Sequence, residues 1–318
     1  MLDFTLTMKI AILLHKKIKQ FLILEGKMIM NIIFCINNTY VRFVSVTILS
    51  ILENNKSNIK FYVLSNDIDA YSKKHLKKLI GGYPNASIEF MYVENKIFLD
   101  FKLNIKYISV ETYYRYVIAD FFPNMDKCLY LDADVIVNGD LNKFYNTNID
   151  NYYCAGVKDL YIQEIDYTQK IGLRGLYINA GVMLFNLYKI REDNMIHKLF
   201  DNTRKMKDKI IYQDQDVINI TFNGNIKEVD SVYNFASSNI VHEKNKWSRA
   251  VVIHYTGEVK PWNKKCKNGM RFAWRHYCGL YMDLMRRNVT EGNMLFDDFK
   301  YIHKIIDYLK WNMYKTWQ

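Results

Sequence analysis

The chain has 318 residues, of which 50% are hydrophobic and 24% are charged, the composition of a globular protein with a sizeable core. Only 13 glycines and 3 prolines are present, which excludes collagen-like repeats and proline-rich linkers. The net charge of +11 is concentrated in residues 1–29 and 263–318, whereas the middle of the chain is nearly neutral. A nucleic-acid-binding body carries its positive charge throughout, so we expect no nucleic acid partner.

The sequence also bears on the compartment. No apolar run reaches the roughly 20 residues of a membrane span, and the apolar run Ile10–Leu14 is too short for a secretory signal. The cysteines are widely spaced and form no CxxC pair; they are Cys35, Cys128, Cys154, Cys266 and Cys278. We therefore expect reduced thiols and a cytoplasmic protein.

The first third of the chain alternates short apolar strands with helical patterns. Strands are predicted at Asn31–Ile36, Ile59–Leu64 and Ser87–Val93, with helices at residues 44–52 and 70–80 between them. This order predicts a parallel sheet with helices on both faces. Ligands of such sheets bind beyond the carboxyl ends of the strands, which here points to the polar loop 37–40.

Further along, a helix is predicted at Glu111–Phe121, a strand at Lys127–Leu131, an apolar strand at Tyr177–Leu187, a helix opening at Tyr212, and a strand at Val251–His254. The segment Leu160–Leu176 reads either as a lid that touches an acceptor or as an ordinary surface loop. Glycine-rich phosphate and dinucleotide motifs and the GxSxG elbow are absent, which disfavours those enzyme classes.

The pattern Asp-x-Asp occurs three times, at residues 67–69, 132–134 and 214–216. Only Asp132-Ala133-Asp134 directly follows an apolar strand, where two carboxylates could converge on one divalent cation. A turn or a helix cap is the alternative interpretation.

His254 ends a later strand, and Gly257 and Lys260 follow it. A neutral imidazole beside carboxylates suits Mn²⁺ better than Ca²⁺, although a lone histidine can equally be a hydrogen-bonded core residue. Glycine permits close backbone approach to a ligand, and lysine offers a cation for phosphate.

Ordered blocks carry a resemblance to a known family. These blocks are Ile33–Tyr40, Arg115, Tyr130–Asp134, Asn179–Gly181, Asp214–Asp216 and His254–Trp262. They resemble glycosyltransferase family 8, particularly the bacterial lipopolysaccharide α-galactosyl- and α-glucosyltransferases, over residues 30–262. The resemblance implies an α/β GT-A fold with a Rossmann-like, mostly parallel central sheet covered by helices on both faces.

The resemblance further implies a retaining hexosyltransferase. It would move galactose or glucose from a UDP-sugar, UDP-galactose or UDP-glucose, to an acceptor sugar of a bacterial surface glycan, either an oligosaccharide or a lipid-linked sugar. The expected cofactor is Mn²⁺, with Mg²⁺ as the alternative. A self-glucosylating, glycogenin-like transferase and a catalytically silent sugar-nucleotide-binding module are the competing interpretations.

By position, the resemblance assigns roles to individual residues. The metal ligands would be Asp132, Asp134 and His254. Residues of the donor site would be Cys35, Asn37, Thr39 and Tyr40 around uridine, Gly257 and Lys260 at the diphosphate, Arg115, Asn179, Ala180, Asp214 and Gln215 around the sugar, and also Asp132 and Ala133. Asp214 and Gln215 would be catalytic, with Gln215 nearest the anomeric carbon. The family usually has Asp at position 37 and Asn at position 39, so Asn37 and Thr39 depart from its pattern.

We predict three regions along the chain: a basic N-terminal extension over residues 1–29, the GT-A catalytic domain over 30–262, and a basic, aromatic, helical tail over 263–318. Trp274, Tyr277 and Tyr281 interleave with basic residues of the tail, and a last amphipathic helix runs from Leu295 to Met313. Such a tail could lie on an anionic membrane surface, or it could pack on its own domain.

Overall fold

The computed structural model describes residues 29–263, 265–266 and 269–287. The predicted extension up to residue 28 and the predicted last helix Leu295–Met313 lie outside the described residues. The description below concerns the described part of the chain.

Nine strands form a seven-stranded sheet of order β3-β2-β1-β4-β7-β6-β8 and a two-stranded sheet of β5 and β9. The strands are β1 Ile29–Cys35, β2 Asn58–Ser65, β3 Ala86–Tyr92, β4 Lys127–Leu131, β5 Val135–Val137, β6 Cys154–Lys158, β7 Ile178–Asn186, β8 Ile226–Glu228 and β9 Val252–His254.

The α-helices are α1 Val41–Asn54, α2 Ala70–Ile80, α3 Ile118–Phe121, α4 Asn142–Tyr145, α5 Leu160–Glu164, α6 Tyr167–Lys170, α7 Leu187–Glu192, α8 Met195–Met206, α9 Gln213–Thr221, α10 Ser237–His242 and α11 Arg271–Arg287. Short 3₁₀ helices lie at Asn38–Tyr40, Asn95–Phe98, Val110–Tyr116, Ser231–Tyr233 and Lys244–Arg249.

The main sheet is mostly parallel, and its topology places the site. Strand β1 pairs in parallel with both β2 and β4, and β7 runs antiparallel between β4 and β6. The connections leave β1 in opposite directions, so the crevice beyond the carboxyl ends of β1 and β4 is a topological switch point. The segments that follow these two strands, 36–40 and 132–134, therefore lie side by side.

Both faces of the sheet are covered, as the near-continuous apolar strands predict. Along β4 the side chains alternate: Leu129 and Leu131 belong to the core under α1, and Cys128 and Tyr130 belong to the core on the opposite face. The described cysteines are all free thiols.

The segment predicted as one helix, Glu111–Phe121, is divided. It forms a 3₁₀ helix up to Tyr116 and then the short helix α3. The three-residue period of a 3₁₀ helix brings Tyr113 and Tyr116 to the same side, where their buried rings meet edge to face at 5.6 Å. Burial of both rings favours the tighter turn over the predicted α-helix.

The segment 160–176 is also more structured than either interpretation expected. It contains α5 and α6 and has its own small core of Ile162, Tyr167, Ile171, Leu173 and Tyr177. It is therefore a packed part of the cavity wall rather than an open loop.

Helix α11, which belongs to the predicted tail, packs into the main core, one of the two arrangements expected for that tail. Trp274, Tyr277 and Tyr281 are buried in the same cluster as α1 and the sheet, and the Tyr277 hydroxyl lies 2.7 Å from Asn54 Nδ2. The compact body thus continues beyond residue 262 as far as Arg287, and these rings do not face a membrane. Among the described residues no helix has the length and apolar character needed to cross a bilayer.

Candidate active site

A cavity of about 390 Å³ opens at the carboxyl ends of β1, β4 and β6, a volume within the usual range of ligand sites. Nearly all the residues assigned by resemblance line it: Cys35, Asn37, Tyr40, Arg115, Asp132, Ala133, Asp134, Asn179, Ala180, Asp214, Gln215, His254, Gly257 and Lys260. Thr39 does not line the cavity. Its hydroxyl instead donates to Asn37 Oδ1 at 2.6 Å.

Three side chains, two from the segment between β4 and β5 and one from the end of β9, could together hold a metal ion. Each of Asp132, Asp134 and His254 offers a ligand atom, and these atoms lie within 4.8 Å of one another. His254 Nε2 is 3.8 Å from Asp132 Oδ2 and 3.4 Å from Asp134 Oδ1. The pairing of β5 with β9 brings them together, because Val135, next to Asp134, is opposite His254 in the ladder.

Each carboxylate keeps one oxygen for this cluster. Asp132 Oδ1 accepts from the Tyr130 hydroxyl at 2.6 Å and from Arg115 at 3.1 Å. Asp134 Oδ2 accepts from the Lys260 ammonium group. Asp132 Oδ2 and Asp134 Oδ1 are the oxygens nearest the imidazole. Two carboxylate oxygens and a nitrogen form a donor set that suits Mn²⁺.

The hydrogen-bond network determines the tautomer of His254. The Gly181 amide donates to Asn179 Oδ1, which also accepts from Asn234 Nδ2 at 3.0 Å. The other amide atom of Asn234, Oδ1, therefore lies 2.9 Å from His254 Nδ1. Because a carbonyl oxygen only accepts, Nδ1 carries the proton, and the Nε2 lone pair is left for a metal.

Gly181, on β7, provides the space that this cluster occupies. A Cβ at this position would overlap His254 Cε1 and would stand 2.6 Å from Asp132 Oδ2. Real Cβ atoms do not approach other atoms so closely. The glycine is therefore needed for steric room beside the donor set.

Lys260 is the cation at the opening of this cluster. Its ammonium group donates to Asp134 and, at 2.9 Å, to the Tyr255 carbonyl. Burial alone would raise the pKa of Asp134, but the Lys260 ammonium group is the strongest opposing influence, and that pKa lies well below its usual range. Gly257 has a φ of +86°, a conformation for which glycine is favoured, and it lines the cavity beside Lys260.

Arg115 connects the carboxylates of the two sides of the cavity. Its guanidinium lies 3.1 Å from Asp132 and 3.0 Å from Asp214 Oδ2, and it donates to the Ala180 carbonyl at 2.5 Å. Thr112 donates to the other oxygen of Asp214, also at 2.5 Å. Burial raises the pKa of Asp214 to about 6 even though Arg115 and Thr112 oppose the shift.

Gln215 lies in a second network on the same side. Its Oε1 accepts from the Ala180 amide at 2.9 Å, and its Nε2 lies 3.3 Å from Asp159 Oδ2. Asn179 Nδ2 donates to that same oxygen at 3.1 Å. The other oxygen of Asp159 caps α5 by accepting from the Ile162 amide. The carboxamide of Gln215 is thus held in one orientation.

The nucleotide end predicted from the resemblance is formed by the segment after β1. Tyr40 is half-buried, and its ring meets Phe43 edge to face at 5.5 Å. Burial raises the pKa of the Cys35 thiol far above its usual range, so that thiol is protonated and unreactive. Asn37 Nδ2 faces Ser109 Oγ and Glu111 Oε2, each at 3.5 Å.

Several residues of the site were not predicted from the sequence. Asp159 directly follows a buried strand, as Asp132 does, and this position was a signal that could have identified it. Gly181 was visible in the Asn-Ala-Gly block, but its steric role depends on atoms 49 and 73 positions away in the chain. Asn234 lies after a 3₁₀ turn and has no recognisable pattern around it.

The fold and the site define a GT-A glycosyltransferase. The family model for glycosyl transferase family 8 matches residues 31–266, so the chain belongs to that family, and the resemblance stated above is confirmed.

Named relatives are consistent with this membership. The chain is 34% identical over 247 residues to a putative glycosyltransferase of Haemophilus influenzae, covering 75% of this chain and 74% of that protein. It is 29% identical over 256 residues to the lipopolysaccharide 1,2-glucosyltransferase of Escherichia coli, covering 76% of this chain and 75% of that protein. The structure also resembles that of the galactosyltransferase LgtC, which was solved in complex with donor and acceptor sugar analogues. The two superpose with a TM-score of 0.71 at 30% identity, and the match covers 83% of this chain and 98% of LgtC. The expected GT-A fold is confirmed by this likeness.

Proposed function

We propose that the chain is a retaining hexosyltransferase that moves galactose or glucose from a UDP-sugar to an acceptor sugar of a bacterial surface glycan. The observation that carries this proposal is the cluster of Asp132, Asp134 and His254 inside the cavity. Its free oxygens and the Nε2 lone pair fit a divalent cation, for which we propose Mn²⁺. When bound, the cation would neutralise charge on the diphosphate of the donor.

Residues of the chain supply the remaining electrostatics. Lys260 would stabilise the charge that develops on the β-phosphate as UDP leaves. Arg115 and Asp214 would orient the donor sugar. Tyr40 offers its half-buried ring to the base, and Gly257 allows the backbone to approach the diphosphate closely.

The hydrogen bonds favour transfer without a covalent sugar–enzyme intermediate. Gln215 Oε1 accepts from the Ala180 amide, and both oxygens of Asp159 accept backbone or amide donors. The two oxygens of Asp214 lie against Thr112 and Arg115. We propose that the acceptor hydroxyl attacks the anomeric carbon on the face that UDP leaves, and that its proton passes to the departing β-phosphate oxygen. A trapped glycosyl–Asp214 adduct would contradict this mechanism.

The test is hydrolysis and transfer with a panel of UDP-sugars, with and without Mn²⁺, using wild type, Asp134→Ala and Asp150→Ala. Asp150 lies in an exposed turn, and its variant is the matched control. We expect wild type and the control to turn over UDP-galactose or UDP-glucose only with Mn²⁺, and Asp134→Ala to lose at least about 100-fold of that activity. Full activity in Asp134→Ala would overturn the metal assignment.

The same panel separates the competing interpretations. A glycogenin-like enzyme would incorporate sugar into its own chain without added acceptor, which intact-mass measurement detects. A silent binding module would bind UDP but would not hydrolyse or transfer any sugar. For the acceptor we propose a sugar of a lipopolysaccharide-type glycan, supported by the name of the Escherichia coli relative.

A further inference from the structure

Glu111 is a buried carboxylate in the cavity that the mechanism above does not use. The residue is 6% exposed and lines the cavity near Cys35 and Asn37. Its Oε2 accepts from the Ser109 hydroxyl and lies 3.5 Å from Asn37 Nδ2. Within the described chain, no lysine, arginine or histidine forms an ion pair with it.

This environment leaves the carboxylate short of donors. An ionised carboxylate has about four acceptor positions, and a desolvated charge is costly unless hydrogen bonds compensate for it. Ser109 supplies one close hydrogen bond, whereas the Asn37 amide stands at the limit of hydrogen-bond distance. A ligand with an N–H group at this position would complete the shell of the carboxylate.

The orientation of Asn37 is fixed by its neighbour. The Thr39 hydroxyl donates to Asn37 Oδ1 at 2.6 Å, which turns the Nδ2 donor toward Glu111. A donor and an acceptor therefore stand side by side in the cavity. The edge of uracil presents the complementary pair, an imide N3–H beside a carbonyl oxygen.

We propose that Glu111 selects uracil: its carboxylate accepts the N3–H of the donor nucleotide's base, while Asn37 Nδ2 donates to the adjacent carbonyl. This inference rests on the proposed function, because it takes the base to lie at this end of the cavity. Cytosine has a lone pair at N3 and would set it against the carboxylate. A site built around a buried acceptor discriminates strongly against a base that lacks the matching hydrogen.

The test is isothermal titration calorimetry of the full chain with UDP and with CDP, each in the presence of Mn²⁺. We expect wild type to bind UDP at least about 10-fold more tightly than CDP. Glu111→Gln should lower the affinity for UDP by about 10- to 100-fold, which corresponds to the free energy of one hydrogen bond to a charged group. It should not weaken CDP binding, because cytosine has no N3–H to donate and the glutamine amide can instead donate to its N3.

Glu89→Gln is the matched control. Glu89 lies on the edge strand β3, where its exposed side chain pairs with Lys60 at 2.7 Å. We expect this variant to keep both affinities. Glu111→Asp keeps the charge but shortens its reach, and we expect an intermediate UDP:CDP ratio. CDP binding at least as tight as in wild type also shows that the Glu111→Gln protein is folded.

Two results would overturn the assignment while leaving the proposed function in place. One is a wild-type UDP:CDP ratio near one, and the other is an unchanged ratio in Glu111→Gln, in which case Glu111 only supports the first turn of the helix Val110–Tyr116. If wild type bound neither nucleotide, the proposed function itself would fail, and the assignment with it.

Discussion

Gly181 contacts the imidazole of His254 so closely that no side chain fits between them. A Cβ at position 181 would stand 3.0 Å from His254 Nε2 and 2.6 Å from Asp132 Oδ2. Because both atoms belong to the donor set, an added methyl group must displace a ligand.

We predict that Gly181→Ala loses at least about 10-fold in Mn²⁺ affinity, measured by titration calorimetry, with a matching loss of transferase activity. Gly82→Ala is the control, since a Cβ there would meet only ordinary contact at 3.7 Å from the Leu79 carbonyl. Equal Mn²⁺ affinities in the two variants would contradict the assignment of this cluster as the metal site.

A second prediction concerns the tautomer of His254. Asn234→Ala removes the acceptor that holds the proton on Nδ1, so part of the population will carry the proton on Nε2. We expect Mn²⁺ affinity to fall by about 10- to 100-fold, as for other residues that orient metal ligands. In the His254→Ala background the same change should have almost no further effect. Additive losses would mean that Asn234 acts independently of the imidazole.

A third prediction follows from the pKa of Asp214. Folding raises this pKa from an ordinary 3.8 to about 6, so between these pH values the folded protein binds the proton more tightly than the unfolded chain. The contribution of Asp214 to the free energy of unfolding is therefore full below about pH 4, falls as pH rises through 6, and stays low above it. The shift corresponds to about 3 kcal/mol.

Asp214→Asn does not titrate and serves as the reference. The difference in free energy of unfolding, wild type minus variant, should fall by up to about 3 kcal/mol between pH 4 and pH 7, measured by urea denaturation. A difference that rises with pH across this window would contradict this prediction. It would show that Asp214 stays ionised in the folded protein because its ion pair with Arg115 outweighs the cost of burying the charge.

A fourth prediction concerns Asp216, the second acidic residue of the Asp214-Gln215-Asp216 motif. Its carboxylate accepts from the Tyr167 and Tyr177 hydroxyls, each at 2.6 Å, and from the Ile211 and Tyr212 amides. Tyr177→Phe removes one donor from a buried carboxylate and should lower the free energy of unfolding by about 1–3 kcal/mol.

The control for this prediction is Tyr188→Phe. Tyr188 is exposed, and its hydroxyl lies 3.3 Å from the surface residue Glu192, so we expect a change within about 0.5 kcal/mol. A similar loss in both variants would point to a general effect of removing a hydroxyl rather than to the Asp216 network.

Much of the fold follows from local pattern. Helix Ala70–Ile80 and strand Lys127–Leu131 have the predicted bounds, because capping, apolar periodicity and strand length agree in these segments. The helix predicted at Glu111–Phe121 was right in type only for Ile118–Phe121, since the first part forms a 3₁₀ helix that buries Tyr113 and Tyr116 on the same side. An apolar stripe on a helix also does not reveal its partner, and only the fold shows that Trp274 faces the protein's own core.

Some residues of the site could likewise be predicted from the sequence, and others could not. Asp132 directly follows the buried strand β4, Asp134 lies two residues further on, and His254 ends β9, and polar residues at the end of a buried strand are visible in sequence. The roles of Gly181, Asn234 and Glu111 depend on distances between elements far apart in the chain, and no spacing encodes them. Their contacts could be identified only once the cavity was assembled.

The anchoring of Asp216 has a consequence for how this enzyme can diversify. The carboxylate ties the base of the 160–177 wall to α9, while Tyr161 and Ile165 at its rim are 50% and 40% exposed. Point changes at the rim can therefore alter what docks there without loosening the wall beneath. Substitutions confined to this rim would leave the hydrogen bonds of Asp216 and the side chains behind the wall in place.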